Sequence, residues 1–186
     1  MPVARPARRR YSFSEYLTLC EDSNARLEFC DGEIYAMAGG SIEHSRLSAR
    51  VVALLDQRRP AGCTALESNT RIRPLVSDRA TYADALLVYG ELEYHPADHE
   101  RRTLANPTIV VEVLSDSTAD DDKTDKFDHY ALAPSLREYV LVWQDEQRVE
   151  VRSRETEGWL VKRYGPGDAI DLRPGVRLTV DEIYAK

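Results

Sequence analysis

The stretch Ile109-Val110-Val111-Glu112-Val113-Leu114 decides how the rest of the chain is read. Five aliphatic residues around one carboxylate predict a strand buried on both faces, because short β-branched apolar runs belong inside a covered sheet. Period-two geometry puts Glu112 on the same face as Val110 and Leu114. A carboxylate on an apolar wall needs a partner, a metal or a proton. The run Tyr82-Ala83-Asp84-Ala85-Leu86-Leu87-Val88-Tyr89 repeats the anomaly, with Asp84 expected on the face of Tyr82, Leu86 and Val88. Two acids on two apolar strands point to one shared site.

Downstream of the first stretch, Ser115 to Thr118 closes the strand, and Asp120, Asp121, Asp122 and Asp125 suit the positive end of a helix running to about Ala131. Pro134 separates that helix from a strand over Arg137 to Trp143. The order strand, helix, strand predicts a crossover between parallel neighbours. Arg148 to Arg154 and Trp159 to Tyr164 alternate around a Glu157-Gly158 turn, Gly165 to Asp168 reads as a loop, and Val180 to Tyr184 as a short final helix.

Upstream, Ser12 and Glu15 have capping-box spacing for a short helix through about Leu19. Arg26 to Phe29 and Glu33 to Met37 flank Asp31-Gly32, a hairpin signal, with Glu28 and Glu33 inside the hairpin. After Gly39-Gly40, Ser41 is an N-cap, and Leu47, Val51, Leu54 and Leu55 recur at helical spacing up to Arg59, ahead of Pro60. Cys63 to Leu66 and Thr70 to Val76 read as strands; Arg71 and Arg73 on one face are either a phosphate contact or a wet surface. A polar loop spans about Gly90 to Pro107.

At 186 residues the chain suits one core, read as a single domain over 11–186 behind a disordered basic arm at 1–10. Arg5, Arg8, Arg9 and Arg10 make that arm either a DNA-backbone contact or a solvated tail. No apolar stretch is long enough to span a bilayer and no hydrophobic segment follows the charged N-terminus. Cys20, Cys30 and Cys63 are odd in number and widely spaced, which fits neither a disulfide framework nor a structural zinc site, so a reducing cytoplasm is expected. A net charge of -7 argues against coating nucleic acid by bulk electrostatics but leaves room for a local basic surface.

Two carboxylates at neighbouring strand ends repel each other unless a cation lies between them, and a hard divalent ion with oxygen ligands satisfies both. Magnesium is the natural choice for Asp84 and Glu112, with the Val113 carbonyl as a further oxygen, in a site suited to phosphodiester hydrolysis. On the following helix Lys123, Lys126 and Tyr130 lie close to one face. Lys126 is the favoured stabiliser of developing charge; the competing reading is an exposed i,i+4 pair with Asp122. His44 sits at the start of the long helix, near the site or simply capping. Pro96 puts His95 and His99 in a loop rather than on one helical face. Serine-hydrolase elbows, phosphate-binding glycine loops and dinucleotide fingerprints are missing.

At these residues the chain resembles the Uma-type family of restriction endonucleases, members of the PD-(D/E)XK nuclease superfamily. The likeness begins at Tyr11 to Leu17 and passes through Arg26 to Glu33, His44 and Ala83-Asp84. It continues over Val111 to Thr118, Lys126 to Tyr130, Arg137 to Tyr139, and Tyr164 to Asp168 with the last strand. The resemblance implies an α/β fold: a restriction-endonuclease-like mixed β-sheet core flanked by α-helices, with an N-terminal hairpin and a C-terminal antiparallel extension. It further implies a divalent metal held by Asp84 and Glu112, with Glu28 as an additional acid. Leu114 stands where the superfamily usually has lysine, and Lys126 matches the family's displaced one. Ala83 replaces the usual proline, which supplies no ligand.

The expected activity is therefore a Mg2+-dependent endonuclease, with Mn2+ as a substitute, cutting DNA and, by analogy, acting as a homodimer. The alternative is a non-catalytic nucleic-acid-binding or protein-interaction member of the same fold. No membrane association and no organic cofactor are expected.

Overall fold

The computed structural model describes residues 9–23, 25–37, 39–115 and 119–186. The elements run α1 (Phe13–Asp22), β1 (Leu27–Cys30), β2 (Glu33–Ala36), α2 (Ile42–Arg58), β3 (Cys63–Glu67), β4 (Arg71–Ile72), β5 (Arg79–Tyr82), β6 (Ala85–Tyr89), β7 (Thr103–Leu104) and β8 (Ile109–Leu114). They continue with α3 (Ala119–Lys123), α4 (Asp125–Ala131), β9 (Glu138–Trp143), β10 (Val149–Glu155), β11 (Gly158–Tyr164), β12 (Ala169–Leu172), β13 (Val176–Thr179) and α5 (Val180–Tyr184).

β8 lies inside a six-stranded sheet ordered β11-β10-β9-β8-β6-β3. It pairs parallel with β9 and antiparallel with β6, so the sheet is mixed and the α3–α4 segment forms the crossover expected between parallel neighbours. All six β8 residues are buried, as a strand covered on both faces requires. Its side chains alternate as the sequence implies. Ile109, Val111 and Val113 pack into the cluster under α2, together with Leu47, Val51, Leu54 and Leu55. Val110 and Leu114 face the opposite cluster, with Tyr130, Leu136 and Tyr139. The antiparallel β12–β13 hairpin and α5 extend the α2-side cluster through Ile170, Leu172, Leu178 and Ile183.

A second, five-stranded sheet has the order β2-β1-β5-β4-β7 and packs Phe29 and Ala80 against Phe13 and Tyr16 of α1. α1 starts at a full capping box: the Ser12 N–H donates to Glu15 Oε2 at 2.8 Å, and the Glu15 N–H donates to Ser12 Oγ at 3.2 Å. The β1–β2 turn puts Asp31 at φ 49° and Gly32 at φ 80°, the two left-handed positions of a type I′ hairpin. Of the basic arm, residues 1–8 lie outside the described residues. Arg9 pairs with Glu15 at 3.1 Å.

Three local readings are corrected. The expected strand over Tyr82 to Tyr89 is interrupted at Ala83-Asp84, because the chain leaves the five-stranded sheet after β5 and enters the six-stranded one at β6. The helix expected to run unbroken to Ala131 is split at Thr124. In an unbroken helix the Asp122 carbonyl would accept from the Lys126 N–H. Here Tyr139 Oη donates to it at 2.7 Å, and Arg152 Nη1 donates to the next carbonyl, that of Lys123, at 2.7 Å. Finally, Arg71 and Arg73 are not a wet face. Arg71 is buried over the Tyr16 ring and 3.7 Å from Asp98, and Arg73 lies over Phe13 at 4.0 Å. His95 sits in the expected loop, buried edge-on to Phe13.

Candidate active site

Asp84 occupies the point where the chain crosses between sheets. Its own N–H donates to the Val111 carbonyl at 3.1 Å, which continues the β6–β8 ladder by one rung. The register Ala85↔Val111 extended by one residue sets Asp84 opposite Glu112. At the next rung β6 has no backbone to offer, so the Val113 N–H is taken by the Asp84 side chain, donating to Oδ2 at 2.7 Å. His44, on the first turn of α2, approaches the same oxygen with Nε2 at 3.2 Å. The His44 pKa is raised above the ordinary histidine value, chiefly by this bond. Burial opposes the rise, while the charges of Asp84 and Asp122 and the Val113 carbonyl add to it.

Glu112 is 3 % exposed and projects to the α4 side of the sheet. Tyr130 Oη donates to its Oε1 at 3.1 Å, and Lys126 Nζ lies 3.6 Å from the same oxygen. Burial drives the Glu112 pKa well above the carboxylate range; Lys126 and the Tyr130 hydroxyl pull it down, and Asp122 and Asp84 push it further up. Lys126 Nζ lies also 2.8 Å from Asp122 Oδ1. Burial would lower the ammonium pKa, but Glu112 and Asp122 outweigh it and raise it, so the lysine stays charged. The pair with Asp122, expected on the surface, is instead buried, with Asp122 1 % and Lys126 6 % exposed.

Glu28, on the hairpin strand β1, accepts from Thr81 Oγ1 and stands 3.8 Å from Arg79, whose guanidinium is also bonded to Asp121 at 2.8 Å. Burial works against the Asp121 charge, and the Arg79 contact more than offsets it, lowering its pKa. Asp84, Glu112, Lys126, Glu28 and Val113 all line one cleft of about 450 Å³. His44, Asp121 and Asp122 line it too. Lys123 instead stacks over Trp143 at 5.5 Å.

From sequence, His44 stands either near the site or at an ordinary cap, and Asp122 enters only as the exposed i,i+4 partner in the competing reading of Lys126. A helix start cannot be aimed from sequence alone. The signal available for Asp122 was its i,i+4 spacing to Lys126, on a segment facing an apolar sheet.

No group of three or more His, Cys, Asp and Glu is arranged as a ready-made metal cage among the described residues. The cleft offers a smaller, all-oxygen set: the Asp84 and Glu112 carboxylates and the Val113 carbonyl. That set fits magnesium, which asks the protein for only one or two carboxylates and keeps several waters.

A mixed sheet with a helical crossover between its parallel strands, and acids gathered where β6 and β8 meet, defines a restriction-endonuclease-like fold. Residues 13–181 match the Uma2 family, described as "Putative restriction endonuclease", and the chain belongs to that family. Among its relatives, Uncharacterized protein slr1290 of Synechocystis sp. (strain ATCC 27184 / PCC 6803 / Kazusa) is 32% identical over 179 residues, covering 94% of this chain and 92% of the relative. Uncharacterized protein sll1609 of the same organism is 34% identical over 140 residues, covering 74% of this chain and 77% of the relative. A crystal structure described as "a putative nuclease belonging to DUF820 from Anabaena variabilis ATCC 29413" superposes with a TM-score of 0.70 at 15% identity, covering 87% of this chain and 91% of that one. No helix among the described residues is long and apolar enough to cross a membrane.

Proposed function

We propose that the protein is a divalent-metal-dependent endonuclease hydrolysing phosphodiester bonds of DNA. In this reading Asp84, Glu112 and the Val113 carbonyl hold Mg2+, with Mn2+ as a substitute, Lys126 is the charge stabiliser and Glu28 the auxiliary acid. The observation that carries it is the meeting of these residues in one cleft, although β1, the β5–β6 junction, β8 and α4 bring them from distant parts of the chain.

The bound ion would supply Lewis acidity at the scissile phosphate and a more acidic water. The protein's own part is positioning and charge. Asp84 is oriented by the Val113 N–H on Oδ2, which leaves Oδ1 for a ligand. Glu112 sits in an apolar wall that favours its neutral form, so it gains most from a cation replacing the proton. Lys126, kept protonated by two carboxylates, is a preorganised ammonium for charge developing on the phosphorane-like transition state. Glu28, tied to Thr81 and Arg79, is held at the rim as a proton acceptor. A homodimer would present two such clefts to the two strands of a duplex, and three free cysteines suit a reducing cytoplasm.

Plasmid DNA incubated with the purified protein and Mg2+ or Mn2+ tests the reading. Cleavage is expected, lost in Asp84→Ala and in Glu112→Ala; its absence, or its survival in both variants, refutes it. One observation favours a second reading, a non-catalytic binder of nucleic acid or protein: Glu112 already has Lys126 and Tyr130 on the same oxygen. Tight, salt-sensitive DNA binding by a protein that never cuts supports that alternative.

A further inference from the structure

We propose that His44 is a positioning residue for Asp84, and that residue 40 is glycine because only a bare backbone lets the imidazole reach that carboxylate. The proposal rests on the reading of Asp84 as a cation-holding group. His44 belongs to a fixed turn: its N–H donates to Ser41 Oγ at 3.0 Å, and Ser41 Oγ in turn donates to Gln144 Oε1 at 2.9 Å, just beyond β9. The backbone at the start of α2 is thereby tied to the strand ends where Asp84 sits.

The ring has little freedom of its own. Nε2 lies 3.2 Å from Asp84 Oδ2, and Ser48 Oγ lies 3.4 Å from Nδ1. Gly40 closes in on the same end of the ring: a Cβ there would stand 2.9 Å from Nδ1 and 3.1 Å from Cγ of the imidazole. Carbon does not approach a ring that closely, so a side chain at position 40 displaces the imidazole from the place it holds beside Asp84. Neighbouring Gly39 has no such constraint, since nothing lies within 4 Å of its missing Cβ.

The Val113 N–H at 2.7 Å and the His44 ring nitrogen at 3.2 Å meet one oxygen from two elements, and together they restrict the rotation of the carboxylate. Either donor alone leaves the carboxylate free to rotate about it. Outer partners of this kind orient ligands and typically change metal affinity about 10- to 100-fold when removed.

The test is calorimetric titration of the full-length, DNA-free protein with Mn2+ alone, each variant first shown to be folded by thermal melting. His44→Ala and Gly40→Ala are each expected to weaken Mn2+ binding by about 10- to 100-fold. His44→Gln, which keeps a donor toward Oδ2, recovers part of the loss, and Gly39→Ala binds like the unaltered protein. If Asp84→Ala loses Mn2+ while His44→Ala binds as tightly as the unaltered protein or tighter, the positioning role is overturned and the metal site stands. If His44→Ala is as deficient as Asp84→Ala and glutamine gives no relief, His44 is a ligand and the proposal fails. Mn2+ binding that does not depend on Asp84 overturns the site and the proposal together.

Discussion

Glu112 and Lys126 are held under opposite demands, and substitution separates them. Removing the lysine leaves Glu112 and Asp122 buried with no cation, and breaking a buried pair from one side costs about 3–5 kcal/mol. Lys126→Met is therefore expected to lower the urea midpoint severely, whereas Glu112→Gln, which keeps the shape of the neutral form that burial favours and leaves Lys126 its Asp122 partner, leaves it unchanged or higher. Equal losses in both variants contradict the buried-charge account. A second residue-scale prediction concerns His95, whose pKa is lowered by burial first and then by Arg73, against the pull of Asp98. Its folded pKa lies below the unfolded value of about 6.5, so the neutral ring's contribution is intact above that pH and declines as pH falls toward the folded pKa. The stability gap between the unaltered protein and His95→Asn should shrink between pH 8 and pH 5; a constant gap refutes it. At this scale the sequence marked Glu112 by face parity alone. It placed His44 near the site only as one of two readings, because the contact with Asp84 spans forty residues and depends on where a helix start is aimed.

The elements most legible from sequence are those whose signal is local: the capped α1, the Asp31-Gly32 hairpin, the striped α2 and the aliphatic β8. Two of the elements that departed from expectation do so for tertiary reasons. Asp84 breaks its strand because the chain changes sheets there, and the same break frees its side chain to take the rung that backbone would otherwise fill. The α3–α4 break follows from side chains of β9 and β10 taking the carbonyls of Asp122 and Lys123. Tyr139→Phe removes one of those donors and leaves a carbonyl acceptor orphaned under the sheet. A cost of about 1–3 kcal/mol is expected for such a group. Amide hydrogen exchange should quicken across Asp121 to Lys126 and remain unchanged in α2. Uniform quickening throughout the protein indicates a general loss of packing instead.

Across the whole molecule, charge argues against the substrate before it argues for it. The chain carries -7, and the cleft presents six carboxylates, Glu28, Glu67, Asp84, Glu112, Asp121 and Asp122, against Arg26 and Lys126. Phosphate approaching those acids is repelled, and nothing in the total charge supplies the counterion release that drives ordinary DNA binding. If the proposed function is right, a divalent ion is needed for DNA to bind at all, apart from any role in hydrolysis. Fluorescence anisotropy of a labelled duplex checks this. The unaltered protein in EDTA should bind at least about 10-fold more weakly than in Ca2+, a hard oxygen-seeking cation that occupies such sites. The double variant Asp84→Asn/Glu112→Gln, which carries two fewer acids, should bind more tightly than the unaltered protein in EDTA and gain little from Ca2+. Affinity in EDTA equal to that in Ca2+ would locate the DNA away from the cleft, as expected of the non-catalytic binder, and would separate the two readings without any cleavage assay.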